Sequence, residues 1–293
     1  MSQSPKSRVV LITGCSSGFG LLIAARLAQH GHQVIATMRD LQKSSGLLNE
    51  VHKRNAKIDL YPLDVTHIGS IKETLAKIAD KYGYIECLIN NAGYGIGGAF
   101  EDLTEEEIRE QMETNFFGVQ NMIRQSLRLM RNREDARIIN VSSVAGFSSS
   151  PCFGAYNASK WALEGFSESL RYELKPFGIK VLLIEPGIYK TKIFAENRRY
   201  ATNFNNPESP YYMLSQHLKK RVDEFVADCY KDPEEIAELV ERLINAKNPS
   251  FRNQPDVEAK IQYILKKILP FGLYSRIVET AVFKGLNFPK RRG

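Results

Sequence analysis

The sequence predicts an α/β protein: a doubly wound parallel sheet in a three-layer α/β/α sandwich, with a C-terminal helical extension. Three observations carry this expectation. Short β-branched apolar runs alternate with stretches of helical periodicity from residue 8 to about residue 250. A glycine-rich turn, Gly14-Cys-Ser-Ser-Gly18-Phe-Gly20, joins the first run to the first helix. Polar motifs recur where apolar runs end, and the carboxyl ends of strands are where open parallel sheets bind ligands.

Taken in order, residues 8–13 form a strand that enters the glycine turn, and Leu21, Leu22, Ala24, Ala25, Leu27 and Ala28 mark a helix closing near Gly31. Gln33–Met38 reads as a buried strand, so strand, glycine turn, helix and strand fall within about 30 residues, the Rossmann-type dinucleotide-binding unit. Its glycines permit a tight turn and let backbone N–H groups approach a pyrophosphate at the helix N-terminus. Residues 57–63 read as a strand ending at Asp64, and residues 67–82 as a helix. Residues 85–90 are a strand ending in Asn90-Asn-Ala-Gly93. Thr104-Glu-Glu-Glu107 is a capping box that opens a long helix through Asn115 towards Met130. Arg137–Val141 delivers Ser142 and Ser143; residues 156–175 form a helix; residues 179–184 lead into Glu185-Pro186-Gly187. Asp232-Pro233-Glu-Glu starts a further helix with Pro and acidic residues in its first turn.

Residues 1–250 are expected to form one domain and residues 251–293 a C-terminal helical extension of that same domain, with residues 192–230, rich in aromatic side chains such as Phe194, Tyr200 and Phe204, as a flap or as helices over the sheet edge. At 43% hydrophobic and 25% charged residues the chain can bury a sizeable core. No run approaches the roughly 18 apolar residues of a membrane span, and the short polar start suggests no leader peptide. Cys15, Cys87, Cys152 and Cys229 lie far apart, which suits reduced thiols in the cytoplasm. His30, His32, His52, His67 and His217 form no metal-ligand pattern and are read as surface residues. The net charge of +7 is carried by residues 260–293, which hold eight Lys or Arg and one acidic residue.

Tyr156 and Lys160 stand one helical turn apart on one face. An ammonium there favours the phenolate and is expected to draw the tyrosine pKa down, making a proton donor or acceptor for reaction at a carbonyl or alcohol carbon.

Together these motifs resemble the short-chain dehydrogenase/reductase family over about residues 8–250. Thr13-Gly-Cys-Ser-Ser-Gly-Phe-Gly20 is similar to its TGxxxGxG loop, Asn90-Asn-Ala-Gly93 to its NNAG strand end, and Pro186-Gly187 with Thr191 to its PG…T segment. Asn115, Ser143, Tyr156 and Lys160 match its catalytic four. The resemblance implies roles. Tyr156 is the general acid or base, Lys160 lowers its pKa and holds the nicotinamide ribose, Ser143 bonds the substrate oxygen, and Asn115 positions a water. For the cofactor it implies Gly14, Ser16, Ser17, Gly18, Phe19 and Gly20 around the phosphates, Asp64 and Val65 at the adenine, and Asn91, Ala92 and Gly93 along the cleft. Pro186, Gly187, Ile188 and Thr191 lie at the carboxamide end. Tyr189 stands where the family more often has a small branched residue, and Cys152 reads as pocket wall rather than nucleophile.

Members that use NAD carry an acidic residue at the end of the second strand. Met38 and then Arg39 stand there in this chain, so NADP(H) is the preferred cofactor and NAD(H) the other candidate; no metal is expected. The resemblance is greatest to the 17β-hydroxysteroid and retinol dehydrogenase-like branch, which implies a hydrophobic carbonyl or alcohol substrate. A 3-oxoacyl thioester reductase is the rival within the class, and a non-catalytic NADP(H)-binding scaffold or redox sensor the rival outside it. The family usually forms homodimers or homotetramers through the helices holding Asn115 and Tyr156. Nucleic acid is not an expected partner, since charge is balanced before residue 260. In the tail, Ile261, Ile264, Leu265, Ile268 and Leu269 form one apolar stripe and Tyr274, Ile277, Val278, Ala281 and Val282 a second, edged by lysines. Such stripes suit a membrane surface, or packing on the domain or a second subunit.

Overall fold

Every side chain of Val9–Ile12 is buried, and the twofold alternation of a strand divides them, Val10 and Ile12 into one hydrophobic core and Val9 and Leu11 into another. That division organises the chain. In a computed structural model that describes residues 7–131, 133–191 and 198–286, the strands are β1 (Val9–Ile12), β2 (Gln33–Met38), β3 (Asp59–Pro62), β4 (Cys87–Asn90), β5 (Ile96–Gly97), β6 (Arg137–Val141), β7 (Lys180–Ile184), β8 (Arg199–Tyr200) and β9 (Arg252–Asn253). The helices are α1 (Gly18–Gln29), α2 (Ser45–Lys53), α3 (Ile68–Tyr82), α4 (Glu105–Met112), α5 (Gly118–Met130), α6 (Gly154–Leu174), α7 (Tyr212–Ala227), α8 (Glu234–Asn245), α9 (Val257–Ile268) and α10 (Phe271–Phe283). Seven strands form one parallel sheet in the order β3-β2-β1-β4-β6-β7-β9, and β5 and β8 form a separate parallel pair.

One core packs α1, α2 and α8 on the sheet through Ile23, Leu27, Leu47, Val51, Ile236 and Val240. The other packs α3, α5 and α6 through Ile71, Leu75, Met122, Ile123, Leu163 and Leu170. The result is the expected three-layer, doubly wound Rossmann-type sandwich, with the β1/β4 neighbours at the point where strand order reverses. No helix among the described residues is long and apolar enough to cross a membrane.

Several features differ from the sequence expectation. Helix α2 has Gly46 in its first turn and a mixed polar sequence, which hid Leu47 and Val51 as core residues. The extension begins not with a helix but with β9, which completes the main sheet beside β7. The long helix after Thr104 has its predicted capping box but widens into a π turn at Glu113–Phe117 between α4 and α5. His32 is 3% exposed rather than on the surface: its Nδ1 accepts from the Arg8 amide at 3.2 Å, and burial first of all pulls its pKa down.

The aromatic segment is part flap and part helix. Tyr200 and Phe204 stack with ring centroids 4.1 Å apart in a small cluster with Tyr94, Ile96, Leu103 and Ala155, while Met213, Phe225 and Tyr230 are exposed. Phe194 lies outside the described residues. In the tail, Tyr274 is buried with its hydroxyl 2.5 Å from Ser148 Oγ, and Tyr263 meets Phe147 edge-on. Each helix docks by one face only. Val257, Ile261, Ile264, Ile268, Phe271, Leu273 and Ile277 remain exposed.

Candidate active site

The glycine turn is shaped by two left-handed residues, Gly14 at φ +73° and Gly18 at φ +58°. Gly20 is needed for a different reason. A Cβ there would lie 2.4 Å from both Gly14 O and Asn91 Nδ2. Asn91 is the tie between turn and strand end: its Nδ2 donates to Thr13 O and Gly14 O, both at 3.0 Å. Thr13 Oγ1 accepts in return from the amides of Asn91 and Ala92. The turn is thus held against β4, and Gly18 and Phe19, the first residues of α1, line the cleft.

A cleft of about 720 Å³ runs along these strand ends. Arg39, Asp40 and Lys43 line one end and Ser16 to Phe19 follow; Ser143, Tyr156 and Lys160 stand at the other with Pro186, Gly187 and Thr191. Gly14, Asp64, Val65, Asn91, Ala92 and Gly93 complete its wall. Three of the expected residues are not in that wall. Gly20 packs behind the turn. Ile188 offers its carbonyl to Cys229 Sγ at 3.4 Å. Asn115 is buried in the π turn, where its Oδ1 accepts from Tyr94 N at 3.1 Å and its Nδ2 donates to Tyr94 O at 2.9 Å and Ser159 Oγ at 3.1 Å. It therefore clamps the segment after Gly93 to the helix of Tyr156.

Ser143 is delivered by β6 and its Oγ accepts from the Ala145 amide at 3.1 Å. Tyr156 lies in the first turn of α6. Burial raises its pKa and a hydrogen bond from Ser143 opposes the rise, so the net direction is up. This corrects the expectation of a lowered tyrosine. Lys160 lies 5.8 Å from the Tyr156 ring centroid, and its Nζ donates instead to Val141 O at 2.9 Å. Its own pKa is pulled down to about 8 by burial, against the charge of Glu164, which raises it. For the tyrosine, the cost of burying a phenolate outweighs the hydrogen bond from Ser143.

Sequence reasoning missed Lys43, Tyr94, Arg198 and Arg199 in the cleft wall. Lys43, in the short 3-10 helix Leu41–Ser44, follows Arg39 by four residues and was findable as a second cation after β2; nothing local marks the two arginines. Tyr189 is fully buried and meets Phe19 edge-on at 5.5 Å, so the departure from the family pattern fills the wall with a ring. Cys152 packs beside Ala99 and Leu218 with its Sγ 3.8 Å from Ser215 Oγ, and burial raises its pKa. It is a packed thiol outside the cleft wall. Among the described residues no His, Cys, Asp and Glu group could hold a metal ion.

The residues present fit a nicotinamide dinucleotide. Gly14, Ser16, Ser17 and Gly18 of the glycine turn line the cleft where a pyrophosphate would lie, Gly20 lets that turn close on Asn91 behind it, and the cleft joins a cationic end to a serine–tyrosine–lysine end. Comparison with known proteins agrees. Human retinol dehydrogenase 8 is 32% identical over 293 residues, covering 97% of this chain and 92% of its own. The 3-ketodihydrosphingosine reductase of Bacteroides thetaiotaomicron is 38% identical over 247 residues, 84% of this chain and 87% of its own. A short-chain dehydrogenase from Streptomyces avermitilis superposes with a TM-score of 0.77 at 31% identity, covering 97% of this chain and all of its own. The short chain dehydrogenase family model matches residues 8–201. The chain belongs to the short-chain dehydrogenase family and is an NAD(P)-dependent oxidoreductase.

Proposed function

We propose that the protein interconverts a hydrophobic ketone or aldehyde and its alcohol using NADP(H), with Tyr156 as general acid or base. The observation that carries this reading is the convergence of Ser143, Tyr156 and Lys160 at one end of the cleft that begins at Arg39. When bound along it, the nicotinamide cofactor supplies the hydride. The chain supplies the proton and the charge. Ser143 and Tyr156, hydrogen-bonded to each other, are two hydroxyl donors for one carbonyl oxygen. A tyrosine whose pKa is raised keeps its proton at neutral pH, which favours its use as the acid in reduction. Lys160 holds the nicotinamide ribose in this reading.

Arg39 and Lys43 favour NADPH, since both can pair with a 2′-phosphate that a carboxylate in their place would repel. The aromatic cluster of Tyr94, Tyr200 and Phe204, close to Ala155, favours a lipophilic substrate. So do the relatives named for retinol and a ketosphingoid base. The exposed apolar face of α9 and α10, flanked by Lys260, Lys267 and Arg276, favours peripheral contact with an anionic membrane in which such a substrate dissolves.

The test is nicotinamide oxidation with NADPH and NADH against ketosteroids, retinal, long-chain aldehydes and acetoacetyl thioesters, with Tyr156→Phe as control. Turnover of lipophilic carbonyls that the variant abolishes supports the reading. Turnover of acetoacetyl thioesters alone moves the substrate to a 3-oxoacyl thioester, reduced at its ketone by the same hydride chemistry. Tight NADPH binding with no turnover throughout overturns the catalytic reading in favour of a sensor.

A further inference from the structure

Behind the catalytic lysine lies a buried charged cluster that the chemistry above does not use. Glu164 sits one turn after Lys160 on α6, 3% exposed, and Glu185, fully buried, follows β7 directly before Pro186-Gly187. Arg252 of β9 reaches between them, its Nη1 2.5 Å from Glu164 Oε2 and 2.5 Å from Glu185 Oε1. Gln254 Nε2 donates to the other oxygen of Glu185, and Glu168 stands 3.7 Å from Arg252 Nη2. Glu164 also touches the serine loop. A Cβ on Gly146 would lie 2.7 Å from Glu164 Cγ and 2.8 Å from both Glu164 Oε1 and Ser142 Oγ. Only a glycine lets the carboxyl approach so closely.

Four residues on, the same segment makes a second buried contact with the cofactor cleft. Asp256 is 5% exposed and caps α9 by accepting from the Ala259 amide at 2.9 Å. Its other oxygen accepts from the amide of Gly187 at 3.0 Å, and Lys231 Nζ lies 3.2 Å from the capping oxygen. Backbone bonds add to this register, since Glu185 N donates to Asn253 O and Leu183 N to Phe251 O.

We propose that Arg252 and Asp256 are positioning residues for the catalytic centre, clamping Glu164 of the catalytic helix and the Glu185–Gly187 turn of the cleft to one short stretch of backbone. The inference rests on the oxidoreductase reading above and deepens it. A half-buried cation shared by two buried carboxyls has little freedom to reorganise, because its loss leaves both carboxyls without their cation. Burial first, and then the charge of Glu164, push the Glu185 carboxyl up, and the nearby Arg252 opposes that rise. Glu164, facing Arg252, Glu185, Glu168 and Ser142, also faces Lys160, whose proton it helps retain.

The experiment uses full-length Arg252→Gln, Arg252→Lys, Asp256→Ala and Glu164→Gln. It measures NADPH Kd by fluorescence, kcat and KM for the best carbonyl substrate, the pH profile of kcat, and thermal unfolding. Arg252→Gln and Asp256→Ala are expected to lose about tenfold or more in kcat, with carbonyl KM within about twofold. Arg252→Lys is expected to recover part of the loss, and Glu164→Gln to move the alkaline limb of kcat to lower pH. Folded variants with wild-type kcat and NADPH Kd overturn the proposal. A fall in activity that follows only the folded fraction, with the pH limb unmoved, also overturns it. If Arg252→Gln does not fold, Arg252→Lys and Asp256→Ala decide. Should wild type turn over no substrate, the oxidoreductase reading fails separately: raised NADPH Kd in Asp256→Ala still supports the clamp, and an unchanged Kd refutes it.

Discussion

Tyr156 and Lys160 show how far a pair of residues depends on what surrounds it. Their spacing was legible, but the direction of the tyrosine pKa was not, because burial is a property of the folded chain. Tyr156→Phe removes the proton donor and is expected to lower kcat about 10²–10⁴-fold while leaving NADPH Kd close to wild type. Lys160 carries a pH dependence whose sign follows from proton counting. Its pKa is about 8 in the fold against 10.5 for the ordinary lysine, so between those values the unfolded chain holds a proton that the native chain has released. The group's contribution to stability therefore rises from pH 8 to 10.5 and is lost as pH falls. The stability difference between wild type and Lys160→Met, followed by denaturant unfolding, should shift towards wild type by about 3 kcal/mol over that window. Arg39→Ala is expected to weaken NADPH binding about tenfold and leave NADH unchanged, if its guanidinium bonds the 2′-phosphate. Equal effects on both cofactors in a binding titration would remove the argument for NADPH.

Elements set which of these residues meet. The glycine turn and the strand end at Asn90 were readable as separate motifs, yet the bond that joins them, Asn91 Nδ2 to the carbonyls of Thr13 and Gly14, belongs to neither alone. Gly20→Ala puts a methyl group into that bond and against backbone. It should cost about 1–3 kcal/mol of stability and weaken NADPH binding, measured together by thermal unfolding with and without cofactor. Strands β1, β2, β6 and β7 were legible because parallel strands buried on both faces read as unbroken apolar runs. β9 was not, since Arg252 and Asn253 are polar and pair only at the sheet edge. His32 was misplaced for a related reason: its partner is a backbone amide of β1's first neighbour, Arg8, far away in sequence.

At the scale of the molecule, the tail proved to have two faces where the sequence suggested one. Tyr263 and Tyr274 dock on the domain, while Ile261, Ile264 and Ile268 look outward. Helical periodicity locates a stripe without saying which surface covers it. Replacing Ile261 and Ile268 by Glu should reduce sedimentation with vesicles containing phosphatidylserine by severalfold and leave turnover of a water-soluble carbonyl unchanged. Unchanged vesicle binding would remove the membrane assignment. The extension is tied into the rest of the chain, since the sheet closes with β9 and Asp256 holds the amide of Gly187.

The π turn at Glu113–Phe117 has a further consequence for that architecture. It is a phase slip in a screw thread: α4 and α5 form one continuous rod, but the thread skips by a residue where Asn115 stands. A residue of α-helix corresponds to about 100° of rotation. Deleting one residue inside the turn would repair the thread and give a more regular rod. It would also swing α4 around its axis relative to α5, carrying Gln111 away from the Ile96 amide and the Tyr94 carbonyl that its side chain bonds. The irregularity is what lets a single helix keep two differently oriented faces in register, and smoothing it would misalign one of them.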